Sequence, residues 1–188
     1  MSVKRNVSEC TVAELVVQLS RMTYGGPFVN GLTPAQWTAL RYFSRANRFS
    51  RTTSAFAEFH ATTRGTASQT IKSLTQSSYL TRKRSMTDGR SAYFDLTHKS
   101  KKMLSDNPFE TLVAAASVLS DSEYRTVTRS LESMLRMLAQ QQSKCLFGMC
   151  TNCKYFQEDE SVYMCMLMDE PLEEVEIKQL CVNFHPSK

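Results

Sequence analysis

The stretch Thr63-Arg64-Gly65-Thr66-Ala67-Ser68-Gln69-Thr70-Ile71-Lys72-Ser73-Leu74 leads, four residues later, into Tyr79-Leu80-Thr81-Arg82-Lys83-Arg84. In the first part Ala67, Ile71 and Leu74 recur at helical spacing and make one apolar stripe. Thr62 or Thr63 is suited to cap that helix. Its other face shows Arg64, Thr66, Ser68, Gln69, Thr70, Lys72 and Ser73. The period then drops to two. Tyr79 to Arg84 reads as a strand, Asp88-Gly89 as a turn, and Ser91 to Leu96 as the returning strand of a hairpin with a rather long loop.

Upstream, Thr53 to Phe59 reads as a short helix with Phe56 and Phe59 facing inward. Thr33 and Pro34 open another helix, which carries Trp37, Leu40 and Phe43 to about Ala46. Gly25, Gly26 and Pro27 separate it from an amphipathic helix over residues 8–22, with Val12, Leu15, Val16 and Leu19 on one face. Downstream, Thr97 caps a helix bearing Lys99, Lys101 and Lys102, and Pro108 starts a new helical stretch. Ser120 or Asp121 restarts it, with Glu123 placed for a capping box on Ser120. Tyr124, Val127, Leu131, Met134 and Leu138 then form a heptad-like seam. Two short helices, a polar helix and a basic hairpin are the order of a winged helix-turn-helix. The expected fold is mainly α with a small β-hairpin wing.

Composition fits that reading. The chain has 188 residues, 41% hydrophobic and 22% charged, as in soluble globular proteins. No apolar run approaches the ~18 residues of a membrane span. No apolar segment follows Met-Ser-Val-Lys-Arg-Asn at the N-terminus, so a cytoplasmic protein is expected. The net charge of +5 hides an asymmetry: residues 1–107 hold 16 Lys+Arg against 6 Asp+Glu, and residues 108–188 hold 7 against 12. A front half at +10 and a back half at −5 point to a polyanionic partner, with double-stranded DNA the leading candidate. No Ser-His-Asp set, phosphate loop or paired-carboxylate motif is visible, and no catalysis is expected.

The chemistry of the polar helix and hairpin suits DNA. A recognition helix needs an apolar back and a front of hydroxyl, amide and cationic groups that reach base edges or phosphates. Arg64, Thr66, Ser68, Gln69, Thr70 and Lys72 supply these. Gln69 is matched to adenine, and Arg64 or Lys72 to guanine or phosphate. Arg82, Arg84 and Arg90 place cations on the ribbon beside Lys83. Asp88, two residues before Arg90, is placed to pair with it and orient it toward a minor groove.

In Leu32-Thr33-Pro34-Ala35-Gln36-Trp37, in Leu74 to Arg82, in the wing Asp88-Gly89-Arg90 and in Leu96-Thr97, the sequence resembles the MarR family of transcriptional regulators. The resemblance covers about residues 8–143. Tyr79 and Thr81 depart from it, standing where glycine and valine are more frequent in the family. It implies an α-rich homodimer on a palindromic operator, with half-sites one helical turn apart, about 34 Å. It also implies that Arg90 is the wing-tip residue. The domains expected are 1–30 and 107–144 for dimerisation, 31–106 for DNA binding, and 145–188 as an extension beyond the family.

That extension reads Cys145-x4-Cys150-x2-Cys153-x11-Cys165-x15-Cys181, with His185 four residues later. A Cys-x2-Cys turn brings two thiolates to one centre, and two distant cysteines complete four-coordination. Cys150, Cys153, Cys165 and Cys181 are the candidate ligands. Cys145 is the spare, His185 reads as a surface residue, and Cys10 stands alone near the N-terminus. The order resembles the cluster-binding half of high-potential iron–sulfur proteins, which implies a [4Fe–4S] cluster in a shell of Tyr155, Phe156, Tyr163, Met166, Leu167 and Leu172. The acidic region after Leu172 reads as helix-like, a departure from that family. Zn²⁺ is the alternative, and Cys145-x4-Cys150-x2-Cys153 also matches a plant-type [2Fe–2S] run. The expected function is a regulator whose operator affinity follows the cluster, as a sensor of redox state, oxygen, NO or iron. In that scheme the cluster orders the tail against the dimerisation helices. The alternatives are a structural zinc with a small-molecule effector, or a thiol-based redox sensor.

Overall fold

Thr33 closes the start of α2 (Pro34–Arg45) with a capping box: its hydroxyl accepts from the Gln36 N–H, and the Gln36 side chain accepts from the Thr33 N–H. Thr52 caps α3 (Thr53–Phe59), Thr63 caps α4 (Arg64–Gln76) and Thr97 caps α5 (His98–Met103) in the same side-chain manner. Four threonines thus punctuate the winged-helix segment. The wing strands β1 (Leu80–Arg84) and β2 (Ala92–Leu96) are antiparallel, with Arg82 opposite Phe94 and Lys83 opposite Tyr93. The structure, a computed structural model, describes residues 7–24, 30–84, 92–160 and 162–187. The expected wing-tip pair Asp88 and Arg90 lies outside the described residues.

The core sits between α2, α3, α4 and the wing. Trp37, Leu40, Tyr42 and Phe43 from α2 meet Phe56 from α3, Ile71 and Leu74 from α4, and Leu80 and Phe94 from the strands. Burying each such large side chain contributes roughly 1.5–3 kcal/mol, so this cluster dominates the stability of the domain. Phe59 is less enclosed than its spacing predicts. It is 39% exposed, with its ring against Tyr42 and Phe147 at 4.8 and 5.2 Å.

Three helices flank the domain: α1 (Val7–Tyr24), α6 (Phe109–Ala116) and α7 (Asp121–Gln142). The Glu123 carboxylate accepts both the Ser120 N–H and the Ser120 hydroxyl at the start of α7. α1 contacts α6. In a single chain, Val12, Leu15, Val16 and Leu19 of α1 and Tyr124, Val127, Leu131 and Leu138 of α7 are exposed.

The tail is more ordered than its sequence announces. β3 (Phe156–Asp159), β4 (Val162–Cys165) and β5 (Glu170–Leu172) form an antiparallel sheet in that order. The acidic segment after Leu172 makes only a single 3₁₀ turn, Glu176–Lys178, where a longer helix was expected. The reason is packing: Ile177 and the charged Glu176 are both buried there. The backbone bonds that dock the tail run to the turn between α2 and α3, and Val182, Phe184 and Pro186 also line a cavity with Arg136, Ala139 and Gln140 of α7. Asn47 N–H donates to the Leu180 carbonyl at 2.9 Å, and Leu180 N–H to the Arg45 carbonyl at 2.7 Å. Val182 N–H donates to Ser50 Oγ at 2.8 Å. Phe147 and Val182 pack on the main core.

Candidate nucleic-acid interface and cysteine cluster

The strand period settles which wing cations face α4. Arg82 and Arg84 share one side of β1, and Lys83 points to the other. Lys83 Nζ reaches the Asp95 carboxylate at 2.7 Å, and Arg51 meets the same group at 2.8 Å. Partial burial pushes the Asp95 carboxyl up, but hydrogen bonds from Lys83 and Arg51 outweigh it and hold the group below its ordinary value. Asp95 thereby fixes the base of the wing to the α2–α3 turn.

On the α4 side, Arg64, Ser68 and Lys72 line one groove with Arg82, in a cavity of about 550 Å³ bounded by α3, α4 and β1. Arg64, Ser68, Gln69, Lys72, Arg82 and Arg84 are all exposed. Three cations around a hydroxyl in a concave surface suit a phosphate or a base edge. Two of the expected contacts carry bonds of their own. The Thr66 hydroxyl bonds Thr63 Oγ1 at 2.9 Å, and the Thr70 hydroxyl donates to the Thr66 carbonyl at 3.2 Å. Both hydroxyls thus already bond within the chain, Thr66 at the start of α4 and Thr70 one turn further on. Thr53 and Ser54, which also line the groove, escaped the sequence reading. Their signal was faint: two small hydroxyls at the start of a seven-residue helix.

The tail gathers four of its five cysteines. Cys150 opens a 3₁₀ turn whose end is closed by the Cys153 N–H on the Cys150 carbonyl at 2.8 Å. The Cys153 carbonyl accepts from Phe156 N–H, and Phe156 stands opposite Cys165 across the sheet. Cys181 N–H donates to the Gly148 carbonyl at 2.9 Å. Gly148 lies so close under the Phe184 ring that a Cβ would meet it at 2.7 Å. Burial pushes the Cys150 thiol up to about 12, helped by the neighbouring Cys181, Cys165 and Cys153. Burial likewise raises Cys181, which feels Cys165 and Cys153. Cys145 is exposed and stands apart.

Among the described residues, no three Cys, His, Asp or Glu side chains converge in metal-ligand geometry. The donor set nonetheless suits a soft metal: four thiols, two of them buried, felt by one another. A buried polar atom points the same way. Asn47 is fully buried, and its Nδ2 has no hydrogen-bond partner among the described residues. It faces Cys181, whose ionised form its N–H favours. Of the expected shell, Phe156, Tyr163 and Leu172 pack with Cys150 and Cys165, joined by Ile177 and Phe49. Met166 and Leu167 are exposed instead. Tyr155 turns its ring to His185, whose Nδ1 is 3.0 Å from the Asn183 carbonyl oxygen.

Residues 30–91 match the model of the MarR family. Solved structures agree on the fold. A MarR transcriptional regulator from Methanosarcina mazei Go1 is 24% identical, over 69% of this chain and 97% of its own, with a TM-score of 0.54. MepR of S. aureus in its DNA-binding conformation is 19% identical, over 71% and 99%, with a TM-score of 0.61. FabT of Streptococcus pneumoniae in complex with DNA is 16% identical, over 71% and 94%, with a TM-score of 0.52. No curated protein matches the chain. No helix among the described residues is long and apolar enough to cross a membrane.

Proposed function

We propose that this chain is a DNA-binding transcriptional regulator of the MarR type, whose affinity for its operator is governed by a metal centre held by Cys150, Cys153, Cys165 and Cys181. The observation that carries the DNA reading is the groove where Arg64, Ser68 and Lys72 of α4 meet Arg82 of the wing. MepR and FabT, two proteins of the same fold, have structures with DNA. The exposed apolar faces of α1 and α7 support a homodimer, because a face of that size is ordinarily covered. A two-fold dimer reads a palindromic operator, with one α4 in each of two successive major grooves.

For the metal centre we favour [4Fe–4S], with zinc as the other arm of the test. A cluster would supply a redox-active, oxygen-sensitive charge centre beneath Phe156, Tyr163 and Leu172. The four cysteines would hold it, and Arg48, Asn47 and Ser50 would tie that site to the helix-turn-helix.

The test begins with a random-sequence duplex pool, from which the anaerobically purified protein selects its site. The reading expects one palindromic sequence, bound with an affinity that falls steeply with salt. Enrichment of no sequence, or binding indifferent to salt, refutes it.

A further inference from the structure

Asn47 occupies a fully buried position in the turn after α2, where polar side chains are rare unless fully bonded. Its Oδ1 accepts from Ser50 Oγ at 2.7 Å. Its Nδ2 has no hydrogen-bond partner among the described residues, and Cys181 is held beside it, because the Asn47 N–H donates to the Leu180 carbonyl on one side of that cysteine and the Val182 N–H to Ser50 Oγ on the other. A neutral thiol is a weak acceptor and leaves this buried donor short of a partner. A thiolate held by a metal is a strong one. The amide is therefore set for a charged sulfur at Cys181.

The other end of the same network leads to the wing. Ser50 Oγ also accepts from Val182 N–H, the residue after Cys181. The Ser50 carbonyl accepts from the Tyr42 hydroxyl at 2.6 Å inside the main core. The next residue, Arg51, donates through Nε to the Ala46 carbonyl at 2.9 Å and through Nη1 to Asp95 of β2 at 2.8 Å. The Arg51 carbonyl accepts from Phe94 N–H, also of β2. Hydrogen bonds and the Ser50–Arg51 peptide link thus join the Asn47 amide to β2, which pairs with the strand that carries Arg82.

We propose that Asn47 is a positioning residue for Cys181 as a metal ligand, and that through Ser50 and Arg51 it couples occupancy of the cysteine site to the setting of the wing. This rests on the reading of the four cysteines as a metal site. When the site is loaded, the Asn47 amide is drawn onto the Cys181 sulfur and its Oδ1 holds Ser50. When the site is empty, the amide loses its acceptor and the turn loosens. The coupling acts within one chain, and needs no change in the distance between subunits.

The experiment compares wild type, Asn47→Leu and Ser50→Ala, each purified anaerobically. The readouts are iron, sulfide and zinc content, metal retention against a chelator, and affinity for the selected duplex with the site loaded and stripped. A folded Asn47→Leu protein is expected to lose metal affinity about 10- to 100-fold, as second-shell changes do. If the centre is an iron–sulfur cluster, its reduction potential falls, because a hydrogen bond to sulfur favours the reduced state. Its loaded and stripped forms are expected to bind the duplex alike. Ser50→Ala is expected to keep its metal and still lose the difference in DNA affinity. It decides the matter if near-ultraviolet circular dichroism shows that Asn47→Leu has not folded. A loaded wild type beside variants with unchanged metal retention, potential and DNA ratio overturns this inference alone. A wild type that binds DNA equally when loaded and stripped overturns the coupling. A wild type without iron or zinc overturns the cysteine reading and this inference with it.

Discussion

Arg48 is the clamp that holds the cysteine tail on the helix-turn-helix, and Arg48→Ala is expected to release it. Its Nη1 lies 2.9 Å from Glu176 Oε2, and its Nη2 lies 3.4 Å from Glu170 Oε2. Nη2 also donates to the Pro171 carbonyl, and the guanidinium sits 4.7 Å from the centre of the Phe49 ring. The two ends of the main pair differ: the Glu176 side chain is 8% exposed and that of Arg48 39%. An exposed ion pair contributes about 0.2–1 kcal/mol, whereas removing one partner of a buried pair costs about 3–5 kcal/mol. A pair with one buried end lies between, at about 2 kcal/mol, or a ~30-fold rise in tail opening. After Arg48→Ala, the Glu176 carboxylate keeps the Glu173 N–H, at 3.0 Å, as its partner among the described residues. Amide hydrogen exchange at Asn47, Leu180 and Val182, the donors across the docking seam, reads that opening directly. Adding Glu176→Gln to Arg48→Ala should restore most of the protection, since a neutral amide tolerates the lost partner. Exchange within twofold of wild type at these three amides in Arg48→Ala would refute the reasoning.

The groove makes a separate prediction. Lys72→Ala or Arg82→Ala should weaken binding to the selected duplex and reduce the slope of log affinity against log salt by about 1 each, as loss of a phosphate contact does; an unchanged slope would remove that side chain from the interface. In the tail, Cys165→Ser should abolish metal retention while Cys145→Ser leaves it intact, and equal metal content in the two would contradict the four-cysteine set. Stability of the metal-free protein should fall as pH rises above about 9. Cys150 ionises near its ordinary value of 9.0 in the unfolded chain, but in the fold its thiol is raised to about 12. Between those values the unfolded chain binds fewer protons, and stability declines with pH. A thermal melt unchanged between pH 8 and 10.5 would remove Cys150 from the buried position assigned here.

Much of the winged helix was legible because short-range rules acted alone there. Thr33-Pro34, Thr63 and Thr97 announce helix starts, and Ala67, Ile71 and Leu74 announce the buried side of α4. The groove was legible in Arg64, Ser68, Lys72 and Arg82 for the same reason: period two and period 3.6 fix which side each faces. The bonds of Thr66 and Thr70 were not legible, because a hydroxyl on a helix front pairs with its own helix as readily as with a ligand. The tail resisted reading. Its strands are three and four residues long, too short for periodicity, and Glu176 lies buried against Arg48, 128 positions away. Cys-x2-Cys is a local signal and was seen. The role of Asn47 and Ser50 depends on chain segments that meet only in the fold.

The central claim is that a centre held by four cysteines sets the affinity of the winged helix for DNA. It is tested most directly by measuring affinity for the selected duplex with protein purified anaerobically, before and after the metal is stripped from the same preparation. The account predicts iron with sulfide, about four of each per chain for a [4Fe–4S] centre, and a change in affinity of at least tenfold on stripping. A metal-free preparation, or a loaded one whose affinity does not change when it is stripped, would contradict it.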